Sequence, residues 1–188
     1  AGGDNSAIVI KSANLIEIVF NQKLPNTMDL VSQALQLNKK YKVDYWVVDK
    51  TGVGQGVYDR LREMDYPVRG VSFGEKSEDD QYQNLKAEWH FRLRKWIVSG
   101  GKLKKDYGWN ELEYVRYKHK DSKIIIQPKE DLFKDGLASP NCVDAAVLTM
   151  VIEDKTIKTQ KFIKQHGGKA YDAMDNIWKG EPDIFSRL

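Results

Sequence analysis

Two aspartates in this chain occupy positions where a carboxylate can do chemistry. Asp49 closes the compact apolar run at 43–48 and is followed almost at once by Gly52-Val53-Gly54-Gln55-Gly56. Active sites of open α/β sheets gather at such strand ends. Aspartate is also a common turn residue, and position alone weighs the two readings equally. Asp144 falls one turn into a helix expected to start at Ser139 and Pro140, among Val143, Ala145, Ala146 and Val147. An acid there suits the helix N-terminal dipole. Its apolar neighbours argue for partial burial, however, and a buried charge needs a partner. A divalent cation would serve. Asn141 lies three residues earlier on the same helical face.

Other chemistries fit less well. A strand, a glycine-rich turn and a helix begin a dinucleotide-binding unit, but Gly52, Gly54 and Gly56 depart from G-x-G-x-x-G, and Asp49 would repel a pyrophosphate. No G-x-x-x-x-G-K-[ST] run is present. Cys142 is the single cysteine, which excludes an internal disulfide and a multi-cysteine zinc cage and suits a reducing compartment. His90, His119 and His166 have no metal-ligand spacing and are expected on the surface. A net charge of +3 is too small to establish a nucleic-acid partner. Its distribution says more, because basic residues interleave with aromatics in two clusters. One contains Arg92, Arg94, Lys95, Trp96, Lys102, Lys104 and Lys105. The other contains Arg116, Tyr117, Lys118, His119, Lys120 and Lys123. Either one alone is better read as a solvated face.

The elements that must position these residues follow from periodicity. Strands are expected at 7–11 and 15–20 as a hairpin, at 43–48, and at 68–73. Paired strands are expected at 114–117 and 123–127 around a charged turn. A helix capped by Asn26 or Thr27 carries Leu30, Val31, Ala34 and Leu35, and a second follows the glycine loop with Val57 and Leu61. A long helix places Leu85, Trp89, Leu93, Trp96 and Ile97 on one face, with the tryptophans read as core, and ends at Gly100-Gly101. Ser139 is the expected N-cap of the late helix, with Pro140 in its first turn. This order implies an α/β fold with a partly parallel sheet covered by helices. The 188 residues suit one domain, at 1–153, with a C-terminal extension at 154–188. No apolar run approaches the roughly 20 residues of a membrane-spanning helix, and the first residues do not read as a signal peptide. The opening Ala1-Gly2-Gly3, without Met, reads as the start of a fragment.

Taken in order, these segments resemble the C-terminal nuclease domain of bacteriophage terminase large subunits, from Gly3 to about Ile152. Gly-Asp-Asn-Ser at 3–6 before Ala-Ile-Val-Ile looks like the family's first hairpin. Val-Val-Asp-Lys-Thr-Gly-Val-Gly-Gln-Gly-Val-Tyr-Asp-Arg-Leu at 47–61 looks like its second acidic motif. Gly-Val-Ser-Phe-Gly at 70–74, Asn84 to Trp96 and Lys-Ile-Ile-Ile-Gln-Pro-Lys-Glu-Asp at 123–131 resemble the intervening segments. Ser-Pro-Asn-Cys-Val-Asp-Ala-Ala-Val-Leu-Thr at 139–149 looks like the last motif.

The resemblance implies an RNase H-like mixed sheet, an antiparallel hairpin plus parallel strands flanked by helices. It implies a metal-dependent endonuclease that cuts concatemeric duplex DNA by two-metal phosphodiester hydrolysis with Mg²⁺ or Mn²⁺. Asp49 takes the central-strand role and Asp144 the late-helix role as metal ligands, with Asn141 beside them in the catalytic set. Arg116, Lys118, Lys120, Lys123 and Lys129 are the expected DNA contacts. The family's first-strand acid would fall upstream of Ala1, with Asp4 matching the hairpin residue after it. Expected partners are double-stranded DNA, a terminase ATPase domain, the small terminase and the portal, with no membrane, in the host cell cytoplasm. The alternatives are another RNase H-like nuclease of the junction-resolvase type and a non-catalytic DNA-binding module.

Overall fold

A computed structural model describes residues 4–152; the expected extension at 154–188, with His166, lies outside them. The chain starts with a hairpin, β1 (Ser6–Ser12) and β2 (Leu15–Gln22), in antiparallel register with a shift between Ile8 and Val9. Ala13 turns the hairpin in the left-handed region, at φ 50°. Helix α1 (Thr27–Tyr41) follows, and Asn26 caps it by accepting the Asp29 backbone N–H at 3.0 Å. Strand β3 (Trp46–Asp49), helix α2 (Gly54–Glu63) and strand β4 (Val68–Val71) form a β-α-β unit whose strands pair in parallel, Trp46 opposite Val68 and Asp49 opposite Val71. Helix α3 (Leu85–Val98) is capped by Asn84, which accepts the Ala87 N–H. The short β5 (Lys102–Leu103) then joins β2 in parallel.

A 3₁₀ segment, Tyr107–Glu113, leads to a second hairpin of β6 (Tyr117–Lys120) and β7 (Lys123–Ile126). Asp121 and Ser122 both adopt positive φ at its two-residue turn, as the right-handed twist of paired strands favours. Helices α4 (Lys129–Lys134) and α5 (Asn141–Leu148) complete the described residues.

The α/β class with mixed strand pairing is as expected, β2 pairing antiparallel with β1 and parallel with β5. The strands form three groups, β1-β2-β5, β3-β4 and β6-β7. One core gathers Ile8, Val31, Ala34, Trp46, Val57, Leu61 and Val68 between α1, α2 and the strands. Around α5, Cys142, Val143, Ala146 and Val147 are almost wholly buried, where the helix packs on β1, β2, α3 and the 3₁₀ segment. Burying a side chain such as Val143 or Val147 stabilises the fold by about 1.5–3 kcal/mol, so α5 is fixed by its apolar flank, and Asp144 with it.

Three local expectations need correction. Helix α2 begins at Gly54, inside the segment read as a loop. Strand β6 begins at Tyr117, because Tyr114 is the C-cap of the preceding 3₁₀ segment. Ser139 is not the N-cap of α5; Pro140 occupies that position without a side-chain cap bond. The Ser139 hydroxyl bonds to Asn141 Oδ1 at 2.9 Å, and the free N–H of Val143 is met by the Glu111 carboxylate at 2.9 Å.

The glycine turn is set by close approach. A Cβ added at Gly54 would lie 1.8 Å from the Asp49 carbonyl oxygen, whereas one at Gly52 would meet nothing. Gly52 instead sits at φ 65°. Gly54→Ala is therefore expected to cost about 3 kcal/mol, since backbone must move. Gly52→Ala should cost only about 1 kcal/mol of left-handed strain. Urea unfolding of the two variants checks the order; equal losses would mean that the turn does not close on Asp49.

Candidate active site

Asp49 lies at the end of β3, and its Oδ1 accepts the Thr51 backbone N–H at 3.0 Å. The turn-capping reading of this residue therefore holds, with one carboxylate oxygen engaged in that bond. Helix α5 packs on β3 as well as on β1, so the elements carrying Asp49 and Asp144 are neighbours. Asp4 is exposed, ahead of β1. Asn141 is engaged by the Ser139 hydroxyl.

Asp144 is buried, with its side chain 11% exposed, and two lysines and a histidine converge on it. Lys86 Nζ lies 3.0 Å from both carboxylate oxygens. His90 Nε2 lies 3.4 Å from Oδ1 and Lys129 Nζ 3.8 Å from Oδ2. Lys86 and His90 are one helical turn apart on α3, so a single face of that helix presents both. The Lys86 ammonium also stands 5.3 Å from the Phe73 ring centroid, a cation–π distance. Removing one partner of such a buried pair costs about 3–5 kcal/mol, because the other charge is left uncompensated.

Burial alone would raise the Asp144 carboxyl. The adjoining His90 ring and the charge of Lys86 outweigh it and hold the group below the usual carboxylate value. Burial pushes the His90 imidazole down, against the pull of Asp144, and favours its neutral form. Glu111 is raised by burial, in spite of the N–H groups of Val143 and Cys142 that face it. The Cys142 thiol, buried and beside Glu111, is pushed up to about 12 and is no nucleophile near neutral pH.

The expected surface position of His90 is thus wrong: it is one of the buried polar residues, while His119 is exposed as expected. Lys86, His90 and Glu111 were all missed. Lys86 is 58 residues from Asp144 in sequence, too far for a local pattern. The available signal was the i, i+4 pair of basic groups beside the apolar Trp89 and Leu93 of α3.

The basic residues divide. Lys129, at the start of α4, reaches Asp144. Lys118 pairs with Asp131 and Lys123 with Asp80, each at 3.3 Å. Arg116 donates to the Val115 carbonyl, and Lys120 is exposed at the end of β6. Ile124 of β7 exchanges backbone bonds with Gln81 and Gln83, and β7 packs on α3. The hairpin is therefore attached beside the helix that carries Lys86.

Among the described residues, no three His, Cys, Asp or Glu side chains gather into a metal-binding group. The donors at Asp144 nonetheless suit a cation. Asp144 Oδ1 and His90 Nε2 are both buried, face each other and have no hydrogen bond. A carboxylate oxygen is a hard donor of the kind Mg²⁺ and Mn²⁺ take. No helix among the described residues is long and apolar enough to cross a membrane.

No family model and no curated protein matches this sequence. Solved structures do. A lysine-to-alanine variant of the nuclease domain of the large terminase subunit gp2 of bacterial virus Sf6, with manganese and beta-thujaplicinol, superposes with a TM-score of 0.68 at 16% identity. The match covers 81% of this chain and 84% of that one. The calcium-bound form of the variant gives 0.67 at 16% identity, over 81% and 85% of the two chains. The nuclease domain without that substitution gives 0.67 at 17% identity, over 81% and 84%. The chain has the RNase H-like fold of these nuclease domains.

The pH dependence of stability follows from the two downward shifts. A group whose folded pKa is depressed binds more protons unfolded, so its contribution is complete above the unfolded value and lost as pH falls. For His90 the loss starts near 6.5 and for Asp144 near 3.8, the ordinary values. Denaturant midpoints measured in chelator should therefore decline below about pH 6.5. His90→Asn should remove the upper part of the decline and leave the lower. A wild-type slope in that variant would show that His90 is not held neutral.

Proposed function

We propose that this chain is the nuclease domain of a viral DNA-packaging terminase large subunit, a divalent-metal-dependent endonuclease acting on duplex DNA. The observation that carries this reading is a buried, ionised Asp144 on a late helix packed against the strand that ends in Asp49, in a fold shared with nuclease domains. The manganese and calcium named with the Sf6 domain support divalent-metal use. The finer reading is cleavage of concatemeric DNA in the host cytoplasm by two-metal hydrolysis. It would be coupled to an ATPase domain and to small terminase and portal.

In that reading Asp49 and Asp144 hold the metal, with Asn141 near it as a neutral neighbour. Mg²⁺ or Mn²⁺, when bound, supplies an activated water and charge for the leaving oxygen. The protein's share is positional. Helix α5 holds an anionic oxygen inside the domain, and the Thr51 N–H fixes one oxygen of Asp49 at the end of β3. The exposed face of the β6–β7 hairpin offers Lys118 and Lys120 to phosphates, with Arg116, Lys123 and Lys129 beside them. Such contacts set register and carry little base specificity.

A non-catalytic DNA-binding module is the second reading. It is favoured by one observation, that Lys86 already balances the Asp144 charge. Plasmid nicking separates the two. Mn²⁺-dependent nicking is expected from the wild type and is expected to vanish in Asp49→Asn and Asp144→Asn, with circular dichroism unchanged. Nicking by either folded variant at the wild-type rate would remove that residue from the site. For DNA affinity, Lys118→Ala with Lys120→Ala should reduce the salt slope of binding by up to about two. An unchanged slope would leave the hairpin a solvated turn.

A further inference from the structure

Asp144 is the acid around which the described residues place most positive charge, and the nearest cation is a lysine. Lys86 Nζ is equidistant, at 3.0 Å, from the two carboxylate oxygens. It therefore stands against both oxygens through which that carboxylate would take a metal. A divalent ion sits roughly 2.1 Å from its carboxylate oxygens. An ammonium at 3.0 Å from the same oxygens would be crowded against it, with like charge at short range. Both cannot hold those oxygens of Asp144 together.

We infer that Lys86 is an exchangeable counter-cation, neutralising Asp144 in the metal-free domain and leaving the carboxylate when a divalent ion binds. The inference rests on the metal-dependent reading above. Three observations support exchange instead of permanent pairing. The Lys86 side chain keeps 17% exposure, so its head has a route to water. The Phe73 ring, 5.3 Å away, offers the ammonium a second contact near its present one. His90 Nε2 faces Asp144 Oδ1 at 3.4 Å with no hydrogen bond, so a nitrogen able to ligate an ion stands beside that oxygen. Lys129 is the less suited occupant, at 3.8 Å with a side chain 39% exposed. The buried carboxylate is thus compensated at every stage, by the ammonium or by the ion, at the expense of metal affinity.

Calorimetric Mn²⁺ titration of the full chain tests this with wild type, Lys86→Met, Lys86→Arg and Asp144→Asn. Lys86→Met should bind Mn²⁺ about tenfold tighter than wild type, because no resident charge has to leave. It should also melt lower without metal and gain more in melting temperature from Mn²⁺. Lys86→Arg, which keeps the charge, should bind no tighter than wild type. Reductive methylation of the wild-type chain gives a readout that needs no variant to fold. Lys86 should be protected without metal and modified several-fold faster with Mn²⁺, while exposed Lys120 stays constant.

A folded Lys86→Met that binds Mn²⁺ no tighter than wild type overturns the exchange, as does unchanged Lys86 methylation. If Asp144→Asn binds Mn²⁺ like wild type, the metal is not at Asp144, and the nuclease reading fails along with the exchange. If metal binds at Asp144 but Lys86 stays protected, only the exchange fails.

Discussion

The structure depends above all on the buried carboxylate of Asp144. Asp144 stands inside the packed face of α5, where an isolated carboxylate is strongly disfavoured. It is tolerated because α3 brings Lys86 and His90 against it. That requirement fixes much else. Helix α3 must lie against α5 with one particular face inward, and the 74–84 segment must bring it there. The latter is fastened by the Ser77 hydroxyl on Glu88, which Arg92 also engages. At the start of α5, Glu111 closes the helix N-terminus in place of a serine cap. One helix is thus held by charged and polar partners as well as by apolar contacts.

Much of the architecture was legible in the sequence because it is local. The 6–22 hairpin, the Asn26 cap, the buried strand ending at Asp49 and the turn at Asp121-Ser122 are each specified by a few adjacent residues. So was the prominence of Asp49 and Asp144, one from its strand end and the other from its apolar neighbours. What surrounds Asp144 was not legible. His90 gave only the weak signal of its i, i+4 spacing from Lys86, since its ring neither spoils the amphipathic pattern of α3 nor forms a ligand spacing. Lys86 reads as an ordinary surface lysine until a carboxylate 58 residues away is placed beside it. Glu111 takes over a capping role that Ser139 fits better by residue type, a substitution that only tertiary packing decides. The lysines of the second basic cluster also separate only in three dimensions, Lys129 turning to Asp144 and Lys118 to Asp131.

The similarity to the Sf6 domain is structural at 16–17% identity, and the physical constraints explain how a fold persists at that level. Apolar positions of α1, α2 and α5 require only volume and pattern. The backbone approach at Gly54 and the charge at Asp144 require particular chemistry. The remaining surface is free to drift, including the identity of the cations on the hairpin.

The distance in sequence between Lys86 and Asp144 has a consequence for how the chain assembles. Hairpins such as β1–β2 close within microseconds, whereas contacts across long loops wait for the chain to search. Synthesis releases α3 well before α5. An unpaired lysine and a neutral imidazole on α3 can wait in water at little expense. A lone carboxylate docked into an apolar face could not. The order in which the ribosome delivers the two helices therefore lets the bases be present before the acid needs them, and the core around α5 closes as the last of its charges is matched.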